Sequence, residues 1–288
     1  MHTLKHAAAA ALIALSTLAA VTVAHAGKAS TKPDPTLETA VAGSWRTPAN
    51  VERDAWRKPV EALTFWGLKP GMTVLELSPG GGWWTEILAP YARATKGRYI
   101  ATAADLNNPE LSQGARDARA DFEKRFADQA IYGQIELVNF GAKSKGLGPD
   151  GSVDFVLNGR NIHNWMGGGI LDRVMAESFA VLKPGGILAI EEHRNAPGAE
   201  QDPKAGTGYV TEAYVIAAAE RAGFKLDARS DLYANPKDDR DHPFGVWTLP
   251  PTKRSAPQGQ PADPKFDRAP YDAIGESDRM ALRFVKPR

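Results

Sequence analysis

The sequence predicts an α/β fold, a doubly wound, mostly parallel seven-stranded sheet with helices on both faces. Three observations predict it. Short apolar runs alternate with segments of helical period along most of the chain. The runs are continuously apolar, as strands covered on both faces are, and do not alternate as half-exposed strands do. Glycine, proline or a polar cluster closes each run and marks a turn between elements.

Taken in order, residues 27–36 are polar, carry two prolines and read as a disordered leader. Residues 37–70 read as an N-terminal helical arm in two pieces. Asn50 caps the first, Pro59 opens the second, and Gly67 stops it before Lys69-Pro70-Gly71. Residues 73–77 are the first strand, ended by a glycine run, and a helix starts at Thr85. Strands follow at 98–103, 135–140, 153–158, 187–191 and 224–233, with helices at 117–127, 170–182 and 211–222 between them. Phe122 and Phe126 lie four apart on one helical face. Residues 235–278 are rich in Pro, Asp, Gly and Lys and form a long insertion, either functional or disordered in part. Residues 280–285 close the chain as the last strand.

Composition narrows the function classes. The chain has 288 residues, 43% hydrophobic and 24% charged, enough to bury a sizeable core as a single domain over 27–288. A net charge of +1 without like-charge runs gives no support to nucleic acid as partner. The absence of cysteine removes disulfides, cysteine nucleophiles and cysteine zinc sites. Residues 7–24 are almost wholly apolar or small, and Ala24-His25-Ala26 fits a signal-peptidase site. The expectation is a signal peptide over 1–26, cleaved near Ala26, and a periplasmic or secreted protein; a retained anchor is the alternative. No later segment is apolar enough to span a bilayer, so no stable membrane insertion is expected after cleavage.

Doubly wound sheets bind ligands at the C-terminal ends of their strands, near the point where strand order reverses. Three segments there carry chemistry. The first is Glu76-Leu77-Ser78-Pro79-Gly80-Gly81-Gly82 after the first strand, where glycines let backbone N–H groups and a helix start approach a ligand. Thr85 stands where a dinucleotide fingerprint needs its third glycine, which argues against that cofactor class. The second is Asn158-Gly159-Arg160-Asn161-Ile162-His163-Asn164-Trp165 after the fourth strand. His163 is the candidate general base there, since imidazole titrates near neutral pH; a polar network that merely holds the loop is the other reading. Trp165 is placed to stack a substrate or contact a cation. The third is Glu191-Glu192-His193-Arg194, a strand end whose neighbouring side chains face opposite ways. His163, His193 and His242, with Glu191 or Asp241, are a possible metal set of non-local spacing; the expectation is no metal.

The glycine turn resembles the first motif of the class I S-adenosylmethionine-dependent methyltransferases, acidic-x-Gly-x-Gly-x-Gly, with Ser78 in place of the first glycine. The resemblance runs from about Arg46 to Lys286. Lys69-Pro70-Gly71-Met72-Thr73 resembles the lead-in to that motif, and Leu182-Lys183-Pro184-Gly185-Gly186 the turn before strand five. Arg57-Lys58-Pro59 and Arg160-Asn161-Ile162-His163-Asn164-Trp165 look like a bacterial group of exported methyltransferase-like proteins. The resemblance implies a Rossmann-like methyltransferase sheet whose last strand is antiparallel, and S-adenosyl-L-methionine as cofactor. It implies that Glu76, Ser78, Gly80, Gly82 and Asn158 bind the cofactor and that Asp105, after strand two, holds the ribose; Asp105 as a cap of its own turn is the equal alternative. It places Arg160, Asn161 and Trp165 against the substrate; His193, at the end of strand five, is a further substrate candidate, with a solvated strand end as the equal alternative. Phe140 ends strand three, where an adenine would sit, or belongs to the core. The function implied is methyl transfer to an oxygen or nitrogen of a small molecule. The alternative is a non-catalytic periplasmic ligand-binding protein that keeps the fold.

Overall fold

The computed structural model describes residues 34–141 and 143–288. The signal segment expected at 1–26 lies outside the described residues. Four short helices form the N-terminal arm: α1 (Pro35–Val41), α2 (Pro48–Val51), α3 (Asp54–Arg57) and α4 (Pro59–Trp66). Then come β1 (Thr73–Leu77), α5 (Thr85–Ala94), β2 (Arg98–Ala104), α6 (Gln113–Arg125), α7 (Gln129–Tyr132), β3 (Ile135–Phe140) and β4 (Val153–Gly159). The second half holds α8 (Ile162–Gly167), α9 (Leu171–Val181), β5 (Leu182–His193), α10 (Glu212–Arg221), β6 (Lys225–Ser230), β7 (Pro243–Val246), α11 (Ala269–Ile274) and β8 (Arg279–Val285).

Seven strands form one sheet in the order β3-β2-β1-β4-β5-β8-β6. From β3 to β5 all pairings are parallel, and β8 runs antiparallel to both β5 and β6. This is the expected architecture, including the antiparallel last strand. The reason is visible in β1, whose five residues are all buried: a strand covered on both faces has no polar side to alternate with. One face packs Leu75, Leu77, Val156, Leu188 and Ile190 against α9 and α10; the other packs Val74, Phe155, Leu157 and Ala189 against α4 and α5. Strand order reverses between β1 and β4, whose register sets Leu77 beside Asn158. The crevice at this switch point is where a ligand is expected.

The arm is broken into four helices and not two; Lys58, at a left-handed φ of 40°, makes the break expected before Pro59, and the segment ahead of it is divided further. The leader expected to be disordered up to residue 36 is already folded at residue 34. Asp34 caps α1 by accepting the Thr36 N–H, and its other oxygen accepts from the Tyr91 hydroxyl at 2.7 Å. The segment after β4, read as a loop, turns into α8. The insertion at 235–278 is ordered. Thr248 and Leu249 are fully buried, Val246 donates its N–H to Thr207 O, and Asp238 accepts from both Tyr209 and His242. Among the described residues no helix is long and apolar enough to cross a membrane.

Candidate functional site

The glycine turn is built for close approach. Ser78 has φ 49° and Gly80 φ 57°, both left-handed. A serine there costs what glycine would not, and its N–H is fixed by donation to Thr102 Oγ1 at 2.7 Å. Gly80 faces open space: a side chain there would meet nothing within 4 Å. Gly82 serves packing, because a Cβ would lie 2.4 Å from the Phe126 ring. Phe126 in turn packs against Phe122 with tilted rings, centroids 4.7 Å apart, as their helical spacing predicts.

Ser78 and Gly80 open onto a cavity of about 390 Å³, closed by Thr102, Ala103 and Ala104 of β2, Arg119 and Phe122 of α6, Phe140 and Asn161. Its size suits a nucleoside-bearing ligand, and the floor is apolar where a planar base would lie. A Cβ at Gly80 would enter this space. Asn161 Nδ2 reaches across the switch point to the carbonyls of Gly159 at 3.1 Å and Leu77 at 3.3 Å. In shape and lining these residues fit the cofactor implied by the sequence.

Two assignments change. Glu76 does not line the cavity. It is buried under the turn, where its carboxylate accepts from the Tyr99 hydroxyl at 2.5 Å and the Thr85 hydroxyl at 3.1 Å. Burial pushes the Glu76 carboxyl up to about 7, against the two hydroxyl hydrogen bonds. Glu76 therefore braces β1, β2 and α5 beneath the turn. Asp105 is also turned away. It accepts the Asn107 N–H at 3.0 Å, capping its own turn, and the cavity wall at the end of β2 is alanine.

The end of β4 gives the reactive groups. Asn158 is 1% exposed, and neither its amide oxygen nor its nitrogen has a partner among the described residues. Arg160 follows in a left-handed φ of 61°, held by donation of its N–H to Glu191 O at 2.7 Å. Such a conformation costs a non-glycine residue about 1–3 kcal/mol and persists only where its surroundings hold it. α8 then carries His163 inward, with its Nδ1 2.9 Å from Glu192 Oε1. A carboxylate can only accept, so Nδ1 carries the hydrogen and Nε2 presents its lone pair. Nε2 has no hydrogen-bond partner among the described residues. Glu192 is itself fixed by the His193 N–H at 2.8 Å. Trp165 leaves the site: it is 5% exposed and packs edge-on against Phe140, supporting the cavity wall from the core.

His193 lies beside His163, ring centroids 5.4 Å apart, with its Nδ1 2.6 Å from Ser277 Oγ. One donor atom each from His163, Glu192 and His193 lies within 4.8 Å of the others. Their surroundings oppose a cation. Burial first, then the positive charges of His163, Arg160, Arg279 and Arg57, holds His193 well below the usual imidazole range.

Those arginines form the part of the site that sequence reasoning largely missed. Arg53 and Arg57 come from the arm, Arg160 from the end of β4 and Arg279 from the start of β8. Four guanidiniums share two buried carboxylates, Glu191 and Glu276. Arg279 Nη1 bridges them at 2.8 and 2.7 Å, Arg53 Nε meets Glu276 at 2.8 Å, Arg57 Nε meets it at 3.3 Å, and Arg160 Nε stands 3.7 Å from Glu191. Burial alone would raise both carboxyls; the surrounding arginines hold both below the usual range, Glu276 strongly. Only the Arg57-Lys58-Pro59 run and the Arg160 segment drew attention in the sequence, since Arg53 and Glu276 stand 223 residues apart.

Parts of the chain are similar to known proteins. Residues 75–190 match the family model described as "Methyltransferase domain". The chain is 30% identical over 203 residues to a sterol 24-C-methyltransferase of Yarrowia lipolytica, a match covering 63% of this chain and 47% of that protein. The chain thus spans about half the length of the curated relative it matches. A S-adenosylmethionine-dependent methyltransferase from Aquifex aeolicus aligns at TM-score 0.48 and 21% identity, covering 64% of this chain and 87% of its own. An arsenic(III) S-adenosylmethionine methyltransferase from Chlamydomonas reinhardtii aligns at TM-score 0.47 and 14% identity, covering 89% and 75%. Residues 75–190 are thus similar to a methyltransferase domain.

Proposed function

We propose that this methyltransferase domain transfers the methyl group of S-adenosyl-L-methionine to an oxygen or nitrogen of a small molecule, with His163 as general base. The observation that carries the reading is the His163–Glu192 pair, with His163 two residues beyond the cavity-lining Asn161. When bound, the cofactor supplies a methyl group on a positively charged sulfur, already activated for displacement. Ser78, Gly80 and Asn161 would hold it at the switch point, and the apolar lining of Ala103, Ala104 and Phe140 would suit its base. Arg119 at the cavity edge donates to Ala104 O and to Asn139, which keeps α6 closed over β2. What remains for the chain is positioning, worth up to about 7–11 kcal/mol in such displacements, and proton removal, worth roughly 10²–10⁴-fold. His163 Nε2 accepts the acceptor's proton while Glu192 steadies the charged imidazole.

The acceptor we propose is a small molecule and not a nucleic acid, because the described arginine cluster is interior and the chain's net charge is only +1. We also propose that the mature protein begins near Gly27 and works in the periplasm or outside the cell. Fractionation and N-terminal sequencing of the mature chain test this; a full-length cytoplasmic product would refute it.

Calorimetric titration of the protein with S-adenosyl-L-methionine tests the cofactor. Saturable binding supports the reading. No heat at millimolar cofactor would favour instead a ligand-binding protein that keeps the fold, a reading to which the serine at Ser78 lends its weight. His163→Ala should abolish turnover and leave cofactor binding intact.

A further inference from the structure

The arginine cluster leaves donors without acceptors. Arg57 is fully buried, yet both its Nη1 and Nη2 lack partners among the described residues. So do Arg53 Nη2, Arg160 Nε, Arg279 Nε and the indole nitrogen of Trp84. Buried donors left unpaired are costly, and buried positive charge more so. Four guanidiniums against two carboxylates leave two positive charges uncompensated. The contrast within the same molecule is sharp. At the larger cavity of about 720 Å³ bordered by Arg194 and Arg240, each of those arginines spends its nitrogens on Asp278, Asp231 or a backbone carbonyl. Arginine is satisfied there and unsatisfied at the strand ends.

We infer that Arg57 and Arg160, flanked by Arg53 and Arg279, form a subsite for an oxyanion, a carboxylate or phosphate carried by the methyl acceptor. The planar guanidinium presents paired donors that match such a group. Exposure is graded across the cluster. The Arg57 and Arg279 side chains are 0% and 2% exposed, while those of Arg53 and Arg160 are 21% and 23% exposed. Glu191 Oε2 is the one unpaired carboxylate oxygen among them and can accept a hydrogen from the same ligand. Arg57 is further fixed over the Trp83 ring, its guanidinium carbon 4.7 Å from the centroid. Trp83 directly follows the glycine turn, and Asn161, next to Arg160, lines the adjoining cavity. An acid group seated on the cluster leaves the rest of a small acceptor between His163 and that cavity. Only the word acceptor rests on the methyl-transfer reading; the oxyanion subsite stands on the unpaired donors.

The test is calorimetric titration of the cofactor-free protein with inorganic phosphate and, separately, with acetate. Saturable binding of either supports the subsite. Phosphate alone identifies a phosphorylated acceptor, and acetate alone a carboxylic acid. Arg160→Gln, at a partly exposed position, should weaken that binding roughly tenfold or more with an unchanged circular dichroism spectrum. Arg57→Met should do the same; if it does not fold, Arg160→Gln decides. Arg98→Gln, in an exposed ion pair with Glu136 at the start of β2, away from the ligand end of the sheet, is the control and should bind like the parent. Absence of binding by both anions, or equal affinity in Arg160→Gln and Arg98→Gln, would overturn the inference. The same samples titrated with S-adenosyl-L-methionine separate the two readings. Cofactor binding without anion binding sinks the subsite alone, and anion binding without cofactor binding sinks the methyl-transfer reading alone.

Discussion

Replacing Glu76 by glutamine should make the protein relatively more stable as pH rises. Glu76 is buried, its carboxyl is pushed up to about 7, and its partners are two neutral hydroxyls, Tyr99 and Thr85. The unfolded chain titrates the same carboxyl near 4.5. Between these values the folded state binds the proton and the unfolded state does not, so the contribution of Glu76 is full below about pH 4.5 and is lost as pH rises through about 7. The span of about 2.5 pH units corresponds to about 3 kcal/mol, of which about 2.5 kcal/mol falls between pH 5 and pH 8. Glutamine keeps the shape and cannot ionise. Thermal unfolding of both proteins at about pH 5 and about pH 8 isolates the group, because every other titration cancels in the difference. The melting temperature of Glu76→Gln relative to the parent should rise by roughly 5–10 °C from the lower to the higher pH. An offset that is the same at both pH values would refute the assignment of Glu76 as a buried brace with a raised carboxyl.

Three further outcomes follow from the geometry. Glu192→Gln should lower kcat roughly 10–100-fold while leaving cofactor affinity unchanged, because a glutamine amide can present a donor to His163 Nδ1 and favour the wrong tautomer; an unaltered pH–rate profile would remove Glu192 as a positioning residue. Gly82→Ala should destabilise by about 2–4 kcal/mol, since the new Cβ would stand 2.4 Å from Phe126 at a φ of 78°, read by urea unfolding. Gly80→Ala has the same left-handed penalty of about 1 kcal/mol but no clash; its larger effect should be on cofactor affinity, measured by calorimetry, as its methyl enters the cavity.

The sheet was legible because its signal is local. β1, β4 and β5 are apolar runs bounded by turn residues, and the glycine turn is seven contiguous positions. The site was legible only where it too is contiguous. His163 could be named from its segment, but its partner Glu192 could not be chosen over Glu191. That choice depends on which strand face α8 covers, a tertiary fact. The motif position of Glu76 suggested ligand contact. The side chain instead alternates onto the α5 face with Val74, where Tyr99 and Thr85 meet it. Trp165 was indistinguishable from a stacking platform until α8 turned it into the core.

The arginine cluster shows the limit most clearly. Arg57 sits in a short charged helix, and nothing within the arm shows that β8 will place Arg279 and Glu276 against it. Placing strand β8 between β5 and β6 brings the start of β8 to the ligand end of the sheet, because an antiparallel strand begins where its parallel neighbours finish. The register Glu192↔Met280 and His193↔Arg279 follows from that reversal. The closing antiparallel strand thus delivers a cation to the C-terminal ends of β4 and β5, beside His163 and His193. A parallel strand in that place would have brought its first residues to the opposite edge, and the four guanidiniums could not have met.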